Sequence, residues 1–314
     1  TENGLFAEGC GILNPGQTAY GFRFNMTNED SQEETEKKIQ EAVSVATECE
    51  KTVLFLGEAC IQSGEGGSRG DITIPEVQKK LLRAVAQVNK NLVVVILAGR
   101  PLDIREIKEH AKAILYAWFP GTEGGHGIAD ILYGDKNPQA KLSMSLPWCV
   151  SQVPVFYGEF RTGRHVEDGE QIENRFMSRY TDMPNRPLYP FGYGLSYTDY
   201  TYSQIQADKV EFKQGESVQV WVTVKNTGNY EGTETVQLYI TDECGSVARP
   251  VRELKGFQKV TLQPQEEKKV CFVIQEDMLR FHGADMKFAA EPGVFTVRIG
   301  ADSTTENALK ICLK

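Results

Sequence analysis

Residues 52–82 read TVLFLGEACIQSGEGGSRGDITIPEVQKKLL, and this stretch decides the fold of the first half of the chain. Thr52, Val53, Leu54, Phe55 and Leu56 make an apolar run of strand length. Gly57 and Glu58 open a loop, and residues 63–71 (SGEGGSRGD) surround the carboxylate of Glu65 with glycines. Pro75 suits the first turn of a helix, on which Val77, Leu81, Val85 and Val88 share one face. A strand that feeds a glycine-rich loop and then a helix is the building unit of α/β sheets. Loops at the carboxyl ends of such strands are where these folds bind ligands, and glycine lets backbone approach a ligand closely.

The same alternation continues in both directions. Upstream, Ser31 and Glu34 form a capping-box pair, and Ile39, Val43 and Ala46 follow at helical spacing. Downstream, residues 92–98 (LVVVILA) read as a second strand, Pro101 starts a short helix, residues 114–118 read as a third strand and residues 124–133 as the helix after it. Uninterrupted apolar strands separated by amphipathic helices predict a mostly parallel sheet covered on both faces.

From about residue 148 to 198 the periodicity fades. This stretch reads as an extended connection, and its density of aromatics (PLYPFGYGLSYT, 187–198) exceeds what a free linker needs. Connections of this length are usually functional or bind across a neighbouring domain, and it is expected to run along the surface of the first domain. Beyond it the period changes to two: Val218, Val220, Val222 and Val224 alternate with Gln219, Trp221 and Thr223. Asn226, Thr227 and Gly228 supply a turn, and Val236, Leu238 and Ile240 resume the alternation. Further strands are expected at 256–262, 268–274 and 294–299, with turns at 263–265 and 292–293, which together read as a β-sandwich. The predicted organisation is an α/β domain over 1–175, an extended aromatic-rich linker over 176–203 and an all-β domain over 204–314.

The 314 residues suffice for two domains, each with its own core. A net charge of −9 argues against a nucleic-acid partner. No apolar run approaches the ~20 residues of a membrane helix. The seven cysteines contain no CxxC pair, and their odd number points to a reducing, cytoplasmic setting. A lone glycosylation triplet, Asn25-Met26-Thr27, is weak evidence of secretion, and the first residues read as mid-domain sequence.

By itself, Glu65 in a glycine-rich loop fits a solvated surface as well as a catalytic site. The wider pattern is more specific. GEACIQSGEGGSRGDITIPEVQKKLL (57–82) resembles the acid/base loop of family 3 glycoside hydrolases. LVVVILAGRPLDI (92–104), AWFPGTEGGHGIADILYGDKNPQAKLSMSLP (117–147) and YPFGYGLSYTDY (189–200) resemble further segments of the same family in the same order. The resemblance implies that the first domain is the family's α/β sandwich and the second its fibronectin type III-like domain. It implies a retaining β-glycosidase of the β-glucosidase type, acting on a β-linked glucoside or related oligosaccharide without a cofactor. Glu65 falls at the family's acid/base position. Ser63, Arg69 and Asp71 are assigned to loop support or substrate binding, with Arg69 and Asp71 expected to pair. The nucleophile, by the same resemblance, is an aspartate on an N-terminal (β/α)8 barrel. A barrel takes ~250 residues, so none fits in this chain beside the two domains.

Other residues admit sharper readings. Glu58 or Asp71 could sit near enough to Glu65 to act as an internal nucleophile, but the family does not use them so. Trp118 could stack on a sugar, although an aromatic before Phe119-Pro120-Gly121 reads better as core. His126 reads as a helix-start residue rather than a proton shuttle, and His110, His165 and His282 are too scattered to suggest a metal site. Residues 64–70 lack both GxGxxG and GK[ST], which argues against a phosphate loop. Two alternatives from other classes are a non-catalytic carbohydrate- or protein-interaction module and a nucleotide-binding α/β protein with an appended sandwich.

Overall fold

A computed structural model of the protein describes residues 4–164, 166 and 175–314, so His165 lies outside the described residues. The chain divides into two compact units, Thr1–Ala129 with Pro147–Val153, and Asp130–Leu146 with Pro154–Lys314.

The first unit opens with a small hairpin, β1 (Thr18–Tyr20) and β2 (Asn25–Thr27). Helix α1 (Gln32–Glu48) starts at the expected capping box: the Ser31 hydroxyl accepts from the Glu34 amide at 3.1 Å, and the Glu34 carboxylate accepts from the Ser31 amide at 2.8 Å. Strand β3 (Thr52–Gly57), helix α2 (Glu76–Val88), strand β4 (Leu92–Leu97), helix α3 (Arg105–His110), strand β5 (Ala113–Tyr116) and helix α4 (Gly124–Tyr133) follow. The three strands form a parallel sheet in the order β3-β4-β5. Leu54 and Leu56 of β3, Val94 and Ile96 of β4, and Val77, Leu81 and Val85 of α2 are all buried.

Two details differ from the expectation. Cover on both faces fails at the β3 edge, where Val53 and Phe55, alternating with the buried leucines, are 39% and 56% exposed. The helix expected to start at Pro101 begins only at Arg105, because Asp103 is held in a parallel bridge to Thr73 and Ile104 is the cap before the helix.

The second unit contains β6 (Tyr200–Tyr202), β7 (Gln206–Ala207), β8 (Glu211–Phe212), β9 (Ser217–Asn226), β10 (Gly232–Asp242), β11 (Glu253–Leu262), β12 (Glu267–Gln275), β13 (Phe281–His282), β14 (Phe288–Ala289), β15 (Gly293–Gly300) and β16 (Ala308–Leu313), of which β13 and β14 pair only with each other and the rest build the sandwich. One sheet runs β11-β10-β15-β16-β8, the other β12-β9-β6 with β7 also on β9. The valines of β9 face the partner residues Val270, Phe272 and Ile274 of β12 and Leu238, Ile240, Val297 and Ile299 of the other sheet in one buried core. The turn after Asn226 therefore carries the chain from one sheet to the other rather than closing a hairpin.

Strand β10 is buried on both faces, although its alternation predicts only one. The cover is the extended aromatic segment. Tyr157 stacks on Phe191 at 4.3 Å between ring centroids and meets Tyr239 edge-on at 5.8 Å, while Gln237 donates to the Gly192 carbonyl at 3.1 Å. Phe160 bridges Pro250, and the Val251 amide donates to Glu159. The segment expected on the first domain divides its contacts: Tyr157 and Phe191 lie on the outer face of the sandwich, whereas Tyr189 and Tyr193 pair their backbone with Leu146 and Leu142, and the Tyr197 hydroxyl donates to the Ile131 carbonyl at 2.6 Å.

Candidate active site

The loop between β3 and α2 is organised by a carboxylate that the sequence reading passed over as a possible nucleophile. The Glu58 side chain is fully buried. Its Oε1 accepts from the Gly99 amide at 3.0 Å and from Arg100 Nε at 3.2 Å, and its Oε2 accepts from Arg100 Nε and from Arg69 Nη1, both at 3.0 Å. A carboxylate with both oxygens engaged and no exposed surface has no free lone pair to present to a sugar, which excludes Glu58 as a nucleophile. Charge-assisted bonds are about twice as strong as neutral ones, and here one buried anion serves two cations.

Both guanidinium groups continue outward to backbone. Arg69 Nη2 donates to the Thr73 carbonyl at 3.0 Å. Arg100 Nη2 donates to the Gln62 carbonyl and, at 2.7 Å, to the Gly67 carbonyl. Arg69 therefore pairs with Glu58, not with Asp71. The Asp71 carboxylate is turned to its own backbone and accepts from the Thr73 amide at 2.8 Å, a bond that holds it below the usual carboxylate range. The expected Arg69–Asp71 pair is corrected accordingly: an Asp two residues before an amide closes a local turn at little entropic cost.

Glu65 stands at the tip of a reverse turn. The Gly67 amide donates to the Gly64 carbonyl at 3.0 Å, and Gly66, third in the turn, has φ +73°, the backbone state that a type II turn demands of glycine. Glu65 itself is exposed. Ser63 lies at the foot of the turn, seated over Gly99. A Cβ on Gly99 would lie 2.1 Å from Ser63 Oγ and 2.8 Å from the Phe119 ring, so the approach of the two strand-end loops requires glycine there.

Trp118 holds φ +55°, unusual for a bulky residue, with its ring 4.7 Å from that of Tyr116. Tyr116 donates its hydroxyl to the Arg100 carbonyl at 2.5 Å and accepts from the Leu102 amide at 3.0 Å, and burial pushes the phenol up in pKa. The aromatic pair thus supports the segment that carries Arg100. His126 lies in the first turn of α4 with Nδ1 2.8 Å from Glu123, exposed on the surface. A polar cleft of about 390 Å³ flanks the Arg69 side of the loop, lined by Asn14, Gln17, Gln62, Arg69, Asp71 and Lys79 among others, and Glu65 does not line it.

The fold and loop define a class: an α/β unit presenting an exposed carboxylate from a glycine turn at a parallel strand end, followed by an all-β sandwich. Residues 7–197 match the Glycosyl hydrolase family 3 C-terminal domain, and residues 234–303 match the Fibronectin type III-like domain. The chain belongs to glycosyl hydrolase family 3.

Among its relatives are the periplasmic beta-glucosidase of Salmonella typhimurium, 45% identical over 84% of this chain, and a beta-xylosidase of Formosa agariphila, 38% identical over 87%. The beta-glucosidase of Listeria innocua, solved in complex with isofagomine, superposes with a TM-score of 0.84 at 38% identity, covering 88% of this chain and 38% of that one. The Bifidobacterium adolescentis beta-glucosidase of the same family gives a TM-score of 0.75 at 29% identity, covering 90% of this chain and 42% of that one. The chain spans only 34% of the Salmonella relative and 36% of the Formosa relative.

Proposed function

We propose that this chain supplies the acid/base half of a retaining β-glycosidase and that Glu65 is the acid/base. In that chemistry one carboxylate attacks the anomeric carbon while the second protonates the departing glycosidic oxygen. The second then, as carboxylate, takes a proton from the water that releases the sugar. The two carboxyls stand ~5 to 5.5 Å apart. The observation that carries the reading is the presentation of Glu65: an exposed carboxylate at the tip of a turn whose two feet are tied to a buried Glu58–Arg100 contact. A solvated surface loop has no use for such anchoring.

Because Glu65 is exposed in this unit, the walls that would exclude water from the reacting bond must come from a partner that closes over it. The proposed partner is a (β/α)8 barrel carrying the nucleophilic aspartate. It would account for the missing two thirds of the relatives' length. The proposed substrate class is a β-linked glucoside or related oligosaccharide. The chain alone should hydrolyse aryl β-glucosides and β-xylosides at no more than the background rate.

In the assembled enzyme, Glu65→Ala should suppress hydrolysis of alkyl and sugar leaving groups by about 10²–10⁴-fold, the usual contribution of a general acid. Dinitrophenyl glycosides, which leave without protonation, should lose far less in the glycosylation step. Equal loss on both substrate types in that step would mean that Glu65 holds the loop and is not the acid.

A further inference from the structure

The loop around Glu65 contains a device beyond the acid itself. Arg100 lies on the neighbouring strand end, after β4, and is 18% exposed at the side chain. One edge of its guanidinium is fixed by the buried Glu58 carboxylate; the other, through a single nitrogen, accepts no freedom either, since Nη2 donates to both Gln62 and Gly67. Those two carbonyls belong to Gly67, the last residue of the turn, and to Gln62, two residues before its first. The bond across the turn itself, from the Gly67 amide to the Gly64 carbonyl, is its internal closure, and Arg100 supplies a second closure from outside. Glycine turns are entropically costly to order, and this one carries two glycines with positive φ, Gly64 at +98° and Gly66 at +73°. Without an external tie, a turn of this composition would sample many orientations of the Glu65 side chain.

We propose that Arg100, oriented by the buried carboxylate of Glu58, is a positioning residue that fixes the Glu65 carboxyl in the leaving-group path by tying together the two feet of its turn. The inference rests on the reading of Glu65 as the acid/base. Positioning matters because a misplacement of about 1 Å costs on the order of 10²-fold in rate. A planar fork can hold Glu58 and two carbonyls at once, whereas an ammonium on a flexible stem cannot span the same set.

The test is Arg100→Lys, which keeps the charge beside Glu58 while losing the fork, with Glu58→Gln as a second variant. Two measurements are made. On the chain as it stands, hydrogen exchange of the Gly67 amide is followed together with the thermal midpoint. Exchange at Gly67 should quicken at least about tenfold in Arg100→Lys with β4 amides unchanged, and unchanged exchange at Gly67 overturns the tie. In the enzyme assembled with its barrel, glycosylation rates are compared for an alkyl and a dinitrophenyl β-glucoside, with Glu65→Ala alongside. Arg100→Lys should lower kcat on the alkyl glucoside at least about tenfold more than the glycosylation rate on the dinitrophenyl one, with KM little changed. Equal losses on both substrates, or no loss, overturn the positioning role while leaving Glu65 as the acid if Glu65→Ala still discriminates. Failure of Glu65→Ala to discriminate overturns both. Should Arg100→Lys fold poorly, Glu58→Gln provides the same comparison through the other end of the contact.

Discussion

Glu58 and Arg100 meet in a forked contact, with Arg100 Nε 3.2 Å from one carboxylate oxygen and 3.0 Å from the other, below a loop whose tip is Glu65. The two residues come from the ends of adjacent parallel strands, so the register of the sheet sets the base on which the loop stands.

Removing one partner of a buried ion pair leaves the other uncompensated. Glu58→Gln strands two guanidinium groups in a site where the carboxylate had no exposure. A loss of about 3 kcal/mol in unfolding free energy is expected, at the low end of the ~3 to 5 kcal/mol typical of such deletions because both arginines retain some solvent contact. Urea unfolding of the chain measures it, and a change below about 1 kcal/mol would show that the contact is not what holds the loop.

Gly66→Ala should cost about 1–2 kcal/mol for placing a side chain at positive φ. No atom lies within 4 Å of the added Cβ, so the penalty is conformational rather than steric. Gly66→Asn should cost less, since asparagine tolerates this backbone state better. Chemical denaturation of the two variants side by side checks the order; equal stability would mean that the turn adopts another form in solution.

The sandwich contains a carboxyl whose titration should be visible in its stability. Glu234 is 3% exposed, 3.2 Å from Lys141 Nζ, and accepts from the Tyr202 hydroxyl at 2.8 Å. Burial raises its pKa above the ordinary value of 4.5, against the opposing pull of Lys141 and Tyr202. A carboxyl with a raised folded-state pKa binds more protons folded than unfolded between the two values, so its contribution to stability falls as pH rises through that window. Relative to Glu234→Gln, the wild-type chain should lose stability from the ordinary glutamate pKa upward until the folded value is passed. Unfolding free energies at half-unit pH steps would reveal a flat difference if the carboxyl were not perturbed in this direction.

Tyr157→Ala tests the docking of the aromatic segment. The variant loses the stack on Phe191, the edge contact with Tyr239 and a hydroxyl that accepts from the Leu254 amide at 3.2 Å. A destabilisation of about 1–3 kcal/mol is expected, with faster proteolysis within residues 154–164. Unaltered proteolysis would indicate that the segment is held by other contacts.

Local signals carried the sequence reading far. The Ser31–Glu34 box and the alternation of Val218 through Val224 are decided within a few residues, and the structure realises both. What stayed illegible depends on residues distant in sequence. Arg69 could be matched from sequence with the neighbouring Asp71, but its partner Glu58 is reached only because the loop folds back over the strand end. Arg100 is 38 residues from Gln62, and nothing short of strand register brings them together. The aromatics of 187–198 announce that the segment is packed, yet composition alone does not say against which surface. The polar Gln237 and Thr241, placed on the outer face of β10 by alternation, gave no sign that this face is covered.

The most direct test of the central claim is the product formed by Glu65→Ala in the assembled enzyme when azide is added with dinitrophenyl β-glucoside. If Glu65 is the acid/base, the carboxylate of the proposed barrel partner still forms the glycosyl-enzyme, azide displaces it from the opposite face, and β-glucosyl azide accumulates with a restored rate. Formation of α-glucosyl azide would instead identify Glu65 as the nucleophile, and no rescue with equal loss on all leaving groups would remove it from the chemistry altogether.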